Sequence, residues 1–186
     1  INLYFNESAR LAQSVHSIFV RNLSQMENIR DLRTAAYTML GLYYYVLTYE
    51  TKTDAAVLAE ENLTKLANFL VKAYEKHRST DWEWFETSVT YDNFRLPQAL
   101  FAAFMITGNE RYKQVATATL NFITKCNFDK KNNYFDFIGQ DGWYTKGKPK
   151  ANYDQQPLEA AAAVDAYLFA SRTLHKKTYY NQARLA

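Results

Sequence analysis

Hydrophobic positions along this chain recur at helical spacing in one segment after another. Over residues 7–23, Leu11, Val15, Ile18 and Phe19 share one face while Arg10, Gln13 and Ser17 fall elsewhere, the pattern of an amphipathic helix. Residues 30–49, with Leu32, Ala35, Met39, Leu42, Val46 and Leu47 among them, are apolar nearly all round. That pattern predicts an inner helix enclosed by neighbours. Residues 54–77 are one-sided again, Leu63, Leu66, Leu70 and Tyr74 opposing Glu60, Lys65, Lys72 and Glu75, as on an outer helix. The alternation continues with 96–106 apolar all round, 109–124 amphipathic after the Gly108 stop, 157–170 apolar all round, and a mixed segment from 177.

Alternating inner and outer helices predict an all-α fold of αα-hairpin repeats, stacked or closed into an (α/α) toroid, in a single domain over residues 1–186. Pro97 and Pro157 lie 60 residues apart, the length of one helical hairpin with its loops. Both prolines suit the first turn of a helix, whose N–H groups have no intrahelical partner. Helix starts are therefore expected at 93–97 and near 154, where Asp154 is a candidate N-cap as well as a candidate substrate contact. If the inner helices all begin at one rim, the loops at 80–95 and 139–156 face each other across one mouth. The pattern breaks between 127 and 145, where Asn132-Asn133 and Gly139-Gln140-Asp141-Gly142 bracket Tyr134–Ile138. A short β-hairpin or irregular insertion is expected near 130–145.

Composition narrows the class. The 186 residues are 48% hydrophobic and 16% aromatic, enough for a sizeable core, and only five Gly and three Pro suit helices with short connections. A net charge of +3 comes from lysines scattered between acids, not from a basic face, which argues against nucleic acid. The single cysteine, Cys126, excludes an intrachain disulfide framework and a cysteine-rich metal site. No apolar run reaches the length of a membrane span and no signal segment opens the chain, so a cytoplasmic location is expected, on a chain whose start at Ile1 reads as truncated.

The chemistry concentrates in the first of the two facing loops. Asp81-Trp82-Glu83-Trp84-Phe85-Glu86 and Thr90-Tyr91-Asp92-Asn93 mix aromatics with carboxylates as sugar sites do: aromatic faces stack on a pyranose, and Asp, Glu and Asn take its hydroxyls or move a proton. The alternative is that Trp82 and Trp84 pin the loop to the core. Asn152-Tyr153-Asp154-Gln155-Gln156-Pro157 repeats the design, and Trp143 is either a stacking surface or a clamp on its own loop. Glu86, Asp92 and Asp154 are the candidate catalytic carboxylates. Trp82, Trp84, Tyr91, Asn93, Arg95, Trp143, Gln155 and Gln156 are the candidate substrate-binding residues. No paired-aspartate run and no phosphate-cradling glycine loop is present, so neither metal nor cofactor is expected. The histidines and the sequons at Asn22 and Asn62 fall in helical patterns and read as surface or packing residues and as chance matches.

Trp84-Phe85-Glu86, Thr90-Tyr91-Asp92-Asn93, Leu96-Pro97-Gln98-Ala99-Leu100 and Asp154-Gln155-Gln156-Pro157-Leu158-Glu159-Ala160 together resemble the six-hairpin, glycosidase-like (α/α) toroid domains that occur alone or joined to glycosyltransferases in bacteria and archaea. The likeness spans roughly residues 30–175. A full toroid has twelve helices and about seven are read here, so the resemblance implies roughly half a ring, completed by a second copy or left without one wall. It implies an oligosaccharide or glycan as ligand, and a linked glycosyltransferase domain as one partner.

Three functions follow as expectations. The first is a glycoside hydrolase-like enzyme, with Glu86 as acid and Asp92 or Asp154 as base. The second is a non-catalytic carbohydrate-binding or helper domain. The third is a helical-repeat interaction domain whose aromatic rim binds protein.

Overall fold

Side chains at the helix ends set the boundaries. Asp31 accepts from the Thr34 N–H at 2.7 Å, Thr53 from Ala56 at 3.2 Å and Asn109 from Arg111 at 3.0 Å, each satisfying a donor that the first turn leaves unpaired. Gly108, at φ +68, closes another helix in the left-handed conformation that only glycine adopts without strain. In the computed structural model, which describes residues 9–49 and 53–186, seven α-helices result: α1 (Ala9–Asn22), α2 (Leu32–Thr48), α3 (Asp54–His77), α4 (Arg95–Thr107), α5 (Glu110–Asn127), α6 (Pro157–Leu174) and α7 (Lys177–Leu185). The fold is mostly helical, as the periodicity predicts. Positions 7 and 8 of the expected first helix lie outside the described residues.

α4 is enclosed as its all-round apolarity predicts, whereas α2 departs from the expectation by leaving Tyr37, Tyr44 and Leu47 on an exposed face. α2 lies against α3 and α4, α4 against α5 and α6, and α6 against α7. Small residues line the middle of the molecule, with Ala99, Ala102 and Ala103 of α4 and Ala162, Ala163, Ala166 and Ala170 of α6 all buried. Asn62 of α3 is also buried, and its amide donates to the Leu23 carbonyl at 2.8 Å, so this sequon is inside the protein.

Two short ladders join the loops. β2 (Phe128–Asp129) and β3 (Tyr134–Phe135) form the small hairpin expected near this point, its turn held by the Asp129 carboxylate accepting from the Lys131 and Asn132 N–H groups. β1 (Ser88–Val89) pairs antiparallel with β4 (Tyr144–Thr145), which brings the loop after α3 onto the loop before α6. Gly139 sits against the Tyr153 backbone so closely that a Cβ at this position would overlap the Tyr153 carbonyl. The two loops therefore meet at one end, as expected from the helix order.

The two tryptophans of the first loop depart from the sugar-stacking expectation. Trp82 is 2% exposed and Trp84 0%, so neither offers a face to a ligand. Trp82 packs edge-on to Phe122 of α5 and to Tyr144, and its indole N–H donates to the Glu86 carbonyl at 2.6 Å. Trp84 packs against Phe85 and Phe122. They pin the loop to the core, both packing against Phe122 of α5. Trp84→Ala should accordingly destabilise the protein by about 3–5 kcal/mol, the range for emptying a large aromatic site. Urea unfolding measures it; a loss below about 1 kcal/mol would contradict this burial.

Candidate functional site

Arg33, in the first turn of α2, is a buried cation on an otherwise apolar helix, and a buried charge must find partners. All its partners come from the loop after α3. Nε donates to the Tyr91 carbonyl at 2.6 Å, Nη1 to the Glu86 carboxylate at 2.8 Å and Nη2 to the Asn93 side-chain oxygen at 3.2 Å. The Tyr91 ring covers the guanidinium, its centroid 4.8 Å away.

Asn93 carries the connection onward. Its side-chain oxygen accepts from the Thr90 N–H at 3.2 Å and its amide donates to the Thr90 carbonyl at 2.9 Å, which closes the turn ahead of α4. The same amide donates to Glu159 at 3.2 Å, and the Asn93 backbone N–H points at both Glu159 oxygens at 3.3 and 3.4 Å. The N-terminal ends of α2, α4 and α6 are thus joined through Arg33, Asn93 and Glu159. Burial pushes the Glu159 carboxyl up to about 7; the Asn93 donors oppose that and the neighbouring Asp92 charge adds to it.

Asp92 is fully buried at φ +49 and accepts from the Tyr37 hydroxyl. Burial raises its pKa, against the pull of the Tyr37 bond and the Arg95 and Arg33 charges. Arg95 stands 3.6 Å from Asp92 and donates to Asp165 of α6 at 2.6 Å and to Gln98 at 2.8 Å. The Asp92 carbonyl accepts from the Arg95 N–H at 3.3 Å, so its backbone, not its side chain, supports the start of α4.

Solvent meets this cluster through Tyr37 and Tyr91, both nearly half exposed, and the partly buried Trp143 ring packs 6.3 Å from that of Tyr91. Among the described residues five non-glycine positions have positive φ, and Asp92, Trp143 and Asp154 are three of them. A left-handed tryptophan is an outlier that the surrounding structure must impose, and such strain gathers at binding sites.

The expected residues divide. Glu86, Tyr91, Asp92, Asn93 and Arg95 come together, with Trp143 facing them. Asp154 does not cap α6: Gln156 precedes Pro157 in an extended conformation and makes no side-chain cap bond. Asp154 is exposed, and its carbonyl accepts from the Gln140 N–H at 3.1 Å. Gln155 donates to Asp136 at 2.7 Å and Gln156 to Gln140, so both brace their own loop. Sequence reasoning passed over Arg33, Tyr37, Glu159 and Asp165 as site residues. Their signal was an isolated polar group on a helix that is apolar all round.

No known protein family, curated protein or solved structure matches this chain.

The Glu159 pKa sets a pH dependence. Raised in the fold from its ordinary 4.5, the group binds its proton more tightly folded than unfolded. Its contribution is complete below about pH 4.5 and is lost as the pH rises through about 7, so stability should fall by about 2–3 kcal/mol across that window. Glu159→Gln should flatten that part of the curve. Denaturant midpoints from pH 4 to 8 for both proteins provide the check, and equal slopes would assign the effect to other groups.

Proposed function

We propose that this chain is a carbohydrate-active or carbohydrate-binding domain of glycoside hydrolase-like type, with its sugar site on the rim where α2, α4 and α6 begin. The observation that carries this reading is the meeting, at one mouth, of half-exposed aromatic faces with carboxylates of contrasting environment. Tyr37 and Tyr91 supply surfaces for a pyranose, with the partly buried Trp143 ring beside Tyr91. Glu86 pairs with Arg33 at 2.8 Å, while burial holds Asp92 and Glu159 toward the protonated form. Carboxyl groups whose environments push their protonation apart can divide the roles of proton donor and base at a glycosidic bond. In this reading Glu86, expected from the sequence to be the acid, is instead the base or nucleophile because it sits against Arg33, and a buried acid supplies the proton. The hairpins α2–α3, α4–α5 and α6–α7 would form about half of an (α/α) toroid around that mouth.

The second reading is a non-catalytic glycan-binding helper domain. It is favoured by the engagement of Asp92 and Glu159 with Tyr37, Arg95 and Asn93, which makes them braces of the rim.

Incubation with a panel of oligosaccharides, scored by product release and by binding, separates the two. An enzyme should release product, and Glu86→Gln should lower turnover by at least about 100-fold with binding nearly unchanged. A helper domain should bind without turnover. In either case Tyr91→Ala should weaken binding by about 1–3 kcal/mol, the scale of one lost stacking surface. Failure to bind any member of the panel would remove the carbohydrate reading altogether.

A further inference from the structure

We propose that this rim selects glycans that carry no anionic group, because both ion pairs facing it turn their carboxylates toward solvent and bury their guanidinium groups. The proposal rests on the reading of the rim as a sugar site and specifies the class of sugar. In the Arg33–Glu86 pair the arginine side chain is 6% exposed and the carboxylate 36%; in the Arg95–Asp165 pair the figures are 15% and 49%.

Recognition of a uronate or a sulfate ester needs the opposite arrangement, a cation with free donors aimed at the ligand. Neither arginine is available for that work. Arg33 spends its Nε, Nη1 and Nη2 on Tyr91, Glu86 and Asn93, and the Tyr91 ring lies over it. Arg95 is shared between Asp92, Asp165 and Gln98. On the facing loop, Lys146 donates to the Ser79 hydroxyl and Lys150 to the carbonyl and carboxylate of Asp136. A sugar carboxylate at the rim therefore meets the exposed carboxylates of Glu86 and Asp165 before it meets either guanidinium. Like charges at contact range oppose binding, and exposed ones do so in a salt-dependent way. The hydroxyls of an uncharged sugar meet the same carboxylates as acceptors. Arg33 and Arg95 act as positioning residues that hold the acids in place.

The test uses oligosaccharide pairs that differ only by oxidation at C6, such as β-1,4-mannan and β-1,4-mannuronan hexamers, with affinities measured by calorimetry. The uncharged member should bind at least tenfold more tightly at low salt, and the preference should narrow as salt is raised. Glu86→Gln and Asp165→Asn, each checked for an unchanged melting temperature, should narrow it as well. If one variant is unstable, the other and the salt series still decide. Equal or tighter binding of the uronate member by the unaltered protein would overturn the selectivity while leaving the sugar site standing. A preference unmoved by salt and by both substitutions would overturn its electrostatic origin. No binding to either member of any pair would overturn the sugar site itself.

Discussion

A buried positive charge organises this molecule. Arg33 enters the interior in the first turn of α2, where an unpaired guanidinium would be strongly unfavourable, and every group that satisfies it comes from the loop after α3. That requirement gives the loop its shape, since two of the three acceptors are fixed points of the turn, the Tyr91 carbonyl and the Asn93 side chain. Asn93 then presents its remaining donors to Glu159, and α6 is drawn to the same end. Remove the charge, and the Tyr37 hydroxyl bond to Asp92 is what still ties α2 to that loop among the described residues.

Helix positions were legible because their determinants are local. Period, cap and stop fall within a few residues of one another, and α3, α4 and α5 begin and end within about three residues of where those signals put them. The meeting of the two proline-marked loops was legible too, through the order of inner and outer helices. Whether the helices close into a ring was not, for closure depends on angles between hairpins that no local pattern encodes.

The candidate site was half legible. Glu86, Tyr91, Asp92, Asn93 and Arg95 lie within ten residues, so one loop and the helix start it leads into had to carry them together. The roles of Trp82 and Trp84 depended on Phe122, some 40 residues on, which decides whether an indole faces solvent or core. Asp154 resembled a cap because aspartate before a proline often is one, but the left-handed backbone there turns the residue into part of the loop's path. The decisive partners, Arg33, Glu159 and Asp165, stood in view as charges within apolar helices. Such a charge announces a partner without saying which.

The antiparallel ladder that joins the two loops is only two residues long on each side. So short a ladder sits near the bottom of the range of local stabilities, far below helices packed on both faces. Opening it breaks few bonds and leaves the helical frame intact. Amide hydrogens at Val89 and Tyr144 then belong to a faster-exchanging class than those inside α4.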